Sequence, residues 1–152
     1  MDDGMLSPVL EKKGILGNTT GRRPGDVTFA RWTEGKGLAI DVAVMSPLAS
    51  TYLRMKEPCE WYAATYQKHG KYDESFIGTD HIFCAMVFET LGGVNAEGED
   101  VLRMIFRFAA KRLGREFASF CGRAWARLSC NLQRSVAQSI LTRIDGQDCR
   151  DE

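Results

Sequence analysis

Two different periods of apolar residues divide the chain. VTFARW (27–32), LAIDVAVM (38–45) and HIFCAMVF (81–88) are short apolar runs of strand length. The second is near-continuous, as in a central strand covered on both faces. TEGKG (33–37) is a turn between the first two, and LGG (91–93) is a break. Residues 1–21 read as loop, with one apolar segment around Leu10. Pro47 closes the second strand, and a helix is expected from about Leu48 to near Pro58. Pro58 suits the first position of a further helix, running through EWYAATYQKHGKY. From Val101 the period becomes helical. Leu102, Ile105, Phe106, Ala109 and Leu113 share one face, and Arg103, Arg107, Lys111 and Arg115 recur every four residues opposite. A bend is expected near Gly114. A last helix turns Phe117, Phe120, Cys121, Ala124, Leu128 and Leu132 toward a core, with Arg123, Arg127 and Arg134 on another side.

The order strand, strand, helix, strand, helix, helix predicts an α/β or α+β domain. Its small mixed central sheet is flanked by helices, and its C-terminal part is helical. A length of 152 residues suits one domain, with residues 1–5 and 145–152 frayed. The hydrophobic share of 44% and charged share of 26% exclude a disordered tail as the main class. No apolar run approaches the roughly 20 residues of a membrane span. MDDGMLSPVL has acids where an export signal needs bases, so an intracellular, non-secreted chain is expected.

Charge and cysteine change the picture further. The five cysteines, Cys59, Cys84, Cys121, Cys130 and Cys149, form no CxxC, so the expectation is buried thiols rather than disulfides or zinc. The net charge is zero, but residues 73–100 hold seven acids and no Lys or Arg. Residues 103–134 hold eight bases against Glu116 alone. A neutral total therefore conceals a basic segment that a nucleic acid could use, although a solvated helix face explains it equally well.

Asp26 and Asp41 stand out because each sits at or in an apolar strand. An ionised carboxylate there is costly unless it is paired, hydrogen-bonded or bound to a metal. Two of them on paired strands can share a hard cation such as Mg²⁺, which takes oxygen ligands and keeps several waters. Such an ion polarises a phosphodiester and lowers the pKa of an attacking water. Lys68 and Lys71, placed at the end of the helix through YQKHGKY, would supply positive charge near the phosphate. Plainer readings stand beside this. Asp26 is a turn residue after Pro24 and Gly25, Asp41 pairs with Arg22 or Arg23, and the lysines complement a helix C-terminus.

RRPGDV, a gap of fourteen residues after Asp26, IDVAVMSPL, KHGKY and ETLGG, in that order, carry a resemblance. They resemble the restriction-endonuclease-like domain of site-specific non-LTR retrotransposons, in the PD-(D/E)XK nuclease superfamily. The matching positions are Arg23, Pro24, Asp26, Asp41, Lys68, Lys71 and Tyr72. The likeness extends to LSPVLEKKGIL, which holds Glu11, and to the closing RLSCNLQRSVAQSILTRI. It implies a restriction-endonuclease-like fold and a DNA endonuclease that hydrolyses one strand with Mg²⁺ or Mn²⁺. Asp26, Asp41 and Glu11 would hold the metal, and Lys68 and Lys71 would act beside it. Arg22, Arg23, Arg103, Arg107, Lys111 and Arg115 would bind DNA. The family setting implies a nuclear or other intracellular location, and a reverse-transcriptase domain in a longer polyprotein. Two departures stand out: Gly25 splits the Pro-Asp pair, and Ala43 fills the lysine slot after Asp41. These departures keep open a catalytically inactive DNA- or protein-binding module of the same fold. A plain interaction domain with no nucleic-acid role is a third reading.

Overall fold

The computed structural model describes residues 7–10, 15–16, 25–65 and 68–148, with side chains as far as residue 143. Its elements are β1 (Pro8–Leu10), β2 (Val27–Thr33), β3 (Lys36–Met45), α1 (Pro58–Ala64), α2 (His69–Phe76), β4 (His81–Glu89), α3 (Ala96–Arg112) and α4 (Phe117–Asp148). The four strands form one sheet in the order β1-β2-β3-β4. β1 to β3 are antiparallel neighbours, whereas β4 runs parallel to β3. The parallel pair requires a crossover, and α1 and α2 supply it. The result is a small α/β fold with a mixed open sheet and flanking helices. No helix among the described residues is long and apolar enough to cross a membrane.

Local chemistry explains the hairpin. Glu34 and Gly35 both have positive φ, at 51° and 76°. Two consecutive positive φ values match the right-handed twist of the flanking strands. Gly35 adopts this backbone without strain, and Glu34 is the only non-glycine with positive φ among the described residues.

Strand alternation sorts the core into two layers. Ala39, Met45, Phe83, Ala85 and Val87 meet Cys59, Ala63 and Phe76 from α1 and α2. Leu38, Ile40, Cys84, Met86 and Phe88 meet Val101, Leu102 and Ile105 of α3 and Leu128 and Leu132 of α4. Phe106 joins the last two helices by edge contacts with Phe120 and Trp125. β4 from Phe83 to Phe88 and β3 from Leu38 to Ile40 read as continuous apolar runs because both faces are covered there, whereas Val42 and Val44 of β3 are exposed.

The outer edge of β4 is closed by side chains. Asn95, 1% exposed, accepts from the Val87 amide at 2.8 Å and donates to the Ala85 carbonyl at 2.8 Å. Its own amide donates to the Val87 carbonyl. Glu97 accepts from the Ala85 amide at 3.2 Å. The first turn of α3 thus stands in for a fifth strand, which removes an otherwise sticky edge.

Four expectations need correction. The segment after Pro47 forms turns rather than a helix over 48–57, held by short-range bonds such as Tyr52 N–H to Ala49 O. The helix expected through 58–72 is two helices, because Thr65 leaves the helical backbone after α1 and the Lys68 amide turns back onto the Thr65 carbonyl before α2. Lys68 and Lys71 therefore stand at the start of a helix, not its end. β1 lies in a segment read as loop, since three residues paired only to β2 leave too short a pattern to see.

Candidate functional site

Asp41 projects from β3 onto the α1/α2 face, with Ala39 and Ala43 two residues away on either side. Its neighbour on β4 is Ala85. Small side chains around the carboxylate leave room that Lys68 fills. The Lys68 ammonium donates to Asp41 Oδ2 at 2.6 Å, and the side chains are only 9% and 17% exposed. Lys68 is the N-cap residue of α2, where the helix dipole disfavours a cation. Its burial there is tied to the carboxylate it faces, not to the helix.

Asp26 joins from the start of β2. The β2–β3 pairing begins at Val27–Ile40, and Asp26 is the bend residue just before it. The Asp26 amide donates to the Ile40 carbonyl, and its Oδ2 accepts from the Val42 amide at 2.7 Å. The Asp26 side chain thus continues the ladder where β2 begins. Gly25 explains the interrupted Pro-Asp pair. A Cβ at Gly25 would lie 3.1 Å from the Ile40 carbonyl oxygen and 3.3 Å from the Ala39 Cβ, so glycine lets the chain run close against β3.

Burial raises the Asp41 carboxyl above its ordinary range, and the Asp26 charge adds to the rise; Lys68, chiefly through its hydrogen bond, and Lys71 oppose it. Lys71 is exposed and lies over the Tyr72 ring at 4.8 Å. Tyr72 packs in turn on Phe83, with ring centroids 5.2 Å apart. Lys68 is thus brought onto Asp41 and Asp26 onto the neighbouring Val42 amide, while Lys71 sits one turn further along α2 over Tyr72. Among the described residues Asp41 has Lys68 as its partner, which corrects the reading of Lys68 as a solvated helix-end charge, whereas Lys71 is exposed.

Sequence reasoning missed a second layer. His69 bonds Asp73 Oδ1 through Nδ1 and Glu97 Oε2 through Nε2, each at 2.8 Å. Its ring meets Phe83 edge-on at 5.2 Å. Burial works to lower the His69 pKa, but the two carboxylates outweigh it and raise it. This histidine ties the first turn of α2, next to Lys68, to the start of α3. Glu97 lies 28 residues away, a separation that carries no sequence signal.

Other expected residues fall elsewhere. Glu11, Arg22, Arg23 and Pro24 lie outside the described residues. No group of three His, Cys, Asp or Glu side chains suited to a metal occurs among the described residues. The donor set there is two carboxylates, which suits a hard ion that retains water better than a closed protein cage. The basic stripe does not adjoin the aspartates. Arg103, Arg107 and Lys111 belong to α3, which packs on the opposite face of the sheet, and Arg115 lies in the turn beyond it. Arg103 is bound to Glu99, and Arg107 lies over the Phe117 ring at 5.3 Å. Of the cysteines, Cys59 and Cys84 are buried, Cys121 is half-buried and Cys130 is exposed; burial pushes the Cys59 thiol up to about 11. Cys149 lies outside the described residues.

No family model, curated protein or solved structure matches this chain at a significant level.

Proposed function

We propose that this chain is a metal-dependent DNA endonuclease domain of retrotransposon origin, related to the PD-(D/E)XK nucleases, that nicks DNA by phosphodiester hydrolysis. The observation that carries this reading is the half-buried Asp41, contacted by Lys68 at 2.6 Å, with the Asp26 carboxylate on the amide of the next residue, Val42. Two like charges and one cation gathered at a sheet are an expensive arrangement for stability alone. Asp26 and Asp41 would hold Mg²⁺ or Mn²⁺ through their carboxylates. When bound, the ion supplies Lewis acidity toward the phosphate and lowers the pKa of a coordinated water.

The chain's own groups have separable tasks. Lys68 can orient a water or offset charge developing on the phosphoryl oxygens, where a fixed cation needs no reorganisation. Lys71 adds positive potential from the exposed side of the same turn. The alanine at position 43 is consistent with this division, since the cation arrives from α2 instead of from the strand. His69, Asp73 and Glu97 hold the helix that carries it.

Supercoiled plasmid incubated with protein and Mg²⁺ or Mn²⁺ tests the reading. The wild type should convert it to the open circle, chelator should stop the reaction, and Asp26→Asn, Asp41→Asn and Lys68→Met should each reduce the rate at least ~100-fold, the scale of losing one electrostatic group. Metal-independent binding with no nicking by any protein would leave a DNA-binding module of the same fold. Nicking retained by Asp41→Asn would refute the assignment of the site.

A further inference from the structure

We infer that the outer face of α4 is a second DNA-binding surface, separate from the aspartate site, which grips a duplex backbone through Arg123, Arg127 and Arg134. The chain has no acidic residue from Phe117 to Ile144. At 100° per residue, positions 123, 127 and 134 fall on one narrow stripe. Leu128 and Leu132 lie about 120° and 160° round the helix from the middle of the stripe, and both pack on the sheet core. All three arginines are exposed, and none has an ion-pair partner among the described residues. Glu116, just before α4, accepts from the Ser119 and Ala118 amides, which with a smaller contribution from the Arg123 charge hold its carboxyl below the usual range.

Spacing favours a phosphate backbone. Four residues of helix advance about 6 Å, and the whole stripe spans ~16 Å, or about five phosphate steps of one strand. Guanidinium groups suit such contacts because their planar fork binds phosphate oxygens in pairs. A membrane surface fits less well. Helices that lie on bilayers need a broad free apolar face, whereas here Leu128 and Leu132 pack on the core, Phe120 and Trp125 pack on Phe106, and among the described residues only Ile140 and Leu141 are large exposed hydrophobics of α4. DNA rather than RNA is the duplex named because the proposed substrate is DNA, and the inference leans on that reading for this choice alone.

The placement has a consequence for architecture. Asp41 lies on the α1/α2 face, and α4 covers the opposite one. One straight duplex cannot lie on both, so the stripe holds a segment distant from the cut, or a second duplex.

Binding of a 20-bp DNA duplex, followed by fluorescence anisotropy in chelator across 50–200 mM salt, tests the proposal with the full chain. Replacing the three arginines together by Gln should lower the slope of log K against log salt by about 2.7. Across that salt range the wild type should then lose about 40-fold more affinity than the variant. The corresponding triple Lys variant should keep the slope, and circular dichroism should show all three proteins equally helical. An unchanged slope in the Gln variant overturns the surface. So does tighter binding to an RNA duplex of the same sequence, or loss of binding to phosphatidylserine vesicles with DNA binding intact. Nicking and the slope are independent readouts. A chain that never nicks yet shows the slope change keeps this surface and loses the nuclease reading. One that nicks with an unchanged slope does the reverse.

Discussion

Replacing Lys68 with Met removes the cation opposite Asp41 while keeping a long unbranched side chain. Asp41 then retains its burial and the Asp26 charge, which raise its pKa, and loses the Lys68 contributions that lower it. Breaking a fully buried pair by removing one partner costs about 3–5 kcal/mol. Here the two side chains keep 9% and 17% exposure, and Asp41 can take up a proton. A cost of roughly 2–3 kcal/mol is therefore expected at neutral pH. That corresponds to a fall in Tm of roughly 5–10 °C for a domain of this size. The pH dependence has a definite sign. A carboxyl whose folded pKa lies above its ordinary 3.8 binds more protons folded than unfolded, so its contribution to stability falls as pH rises above that value. The Lys68→Met variant should thus trail the wild type slightly near the ordinary carboxyl pKa and increasingly toward neutrality. The double variant Lys68→Met/Asp41→Asn should recover to within about 1 kcal/mol of wild type, because both charges are gone together. Urea unfolding followed by tryptophan fluorescence, at several pH values, measures all four corners of the cycle. Additive single costs, or a gap that does not change with pH, would refute a coupled buried pair.

Further outcomes follow from other contacts. If Asp26 and Asp41 hold Mg²⁺, a concentration 100 times its Kd should stabilise the wild type by about 2.7 kcal/mol in a thermal melt, and Asp26→Asn should abolish the effect. Because the raised His69 pKa lies above 6.5, its stabilising contribution is complete below that pH and is lost as pH rises through the folded value. His69→Asn should therefore cost on the order of 1–2 kcal/mol at acidic pH and much less at pH 9, read from urea midpoints. Asn95→Ala leaves the Val87 amide and Ala85 carbonyl without partners, for a cost of about 2–4 kcal/mol in the same assay and more aggregation on light scattering. Glu34→Gly should raise stability by about 0.5–1 kcal/mol, since glycine adopts the φ of 51° without steric penalty.

The strands were legible because their signal is local. VTFARW, LAIDVAVM and HIFCAMVF are apolar runs whose lengths and flanks decide the element, and the helical period from Val101 is equally plain. The helix expected after Leu48 failed because propensity there is opposed by turn contacts that only the folded chain makes. YQKHG contains no proline to divide α1 from α2, so the break before Lys68 left no mark, and with it went the end of the helix on which the lysines sit. The closeness of Asp26 to the strand of Asp41 could be guessed from two strands and a short turn. The arrival of Lys68 depended on a likeness of motif order, and the His69–Glu97 contact on tertiary proximity alone. The arginine stripes were visible as spacing, but which side of the sheet they occupied was decided by the packing of α3 and α4.

The cation beside Asp41 is borne by a connector of two short helices instead of by the strand itself. Its α2 element runs only from His69 to Phe76 and is anchored by His69 and a few aromatic contacts. Segments of that size open at lower free energy than the sheet they rest on. Warming should therefore unseat the ammonium while the strands remain paired, and the Asp41 site would come apart at temperatures where spectroscopy still reports the chain folded.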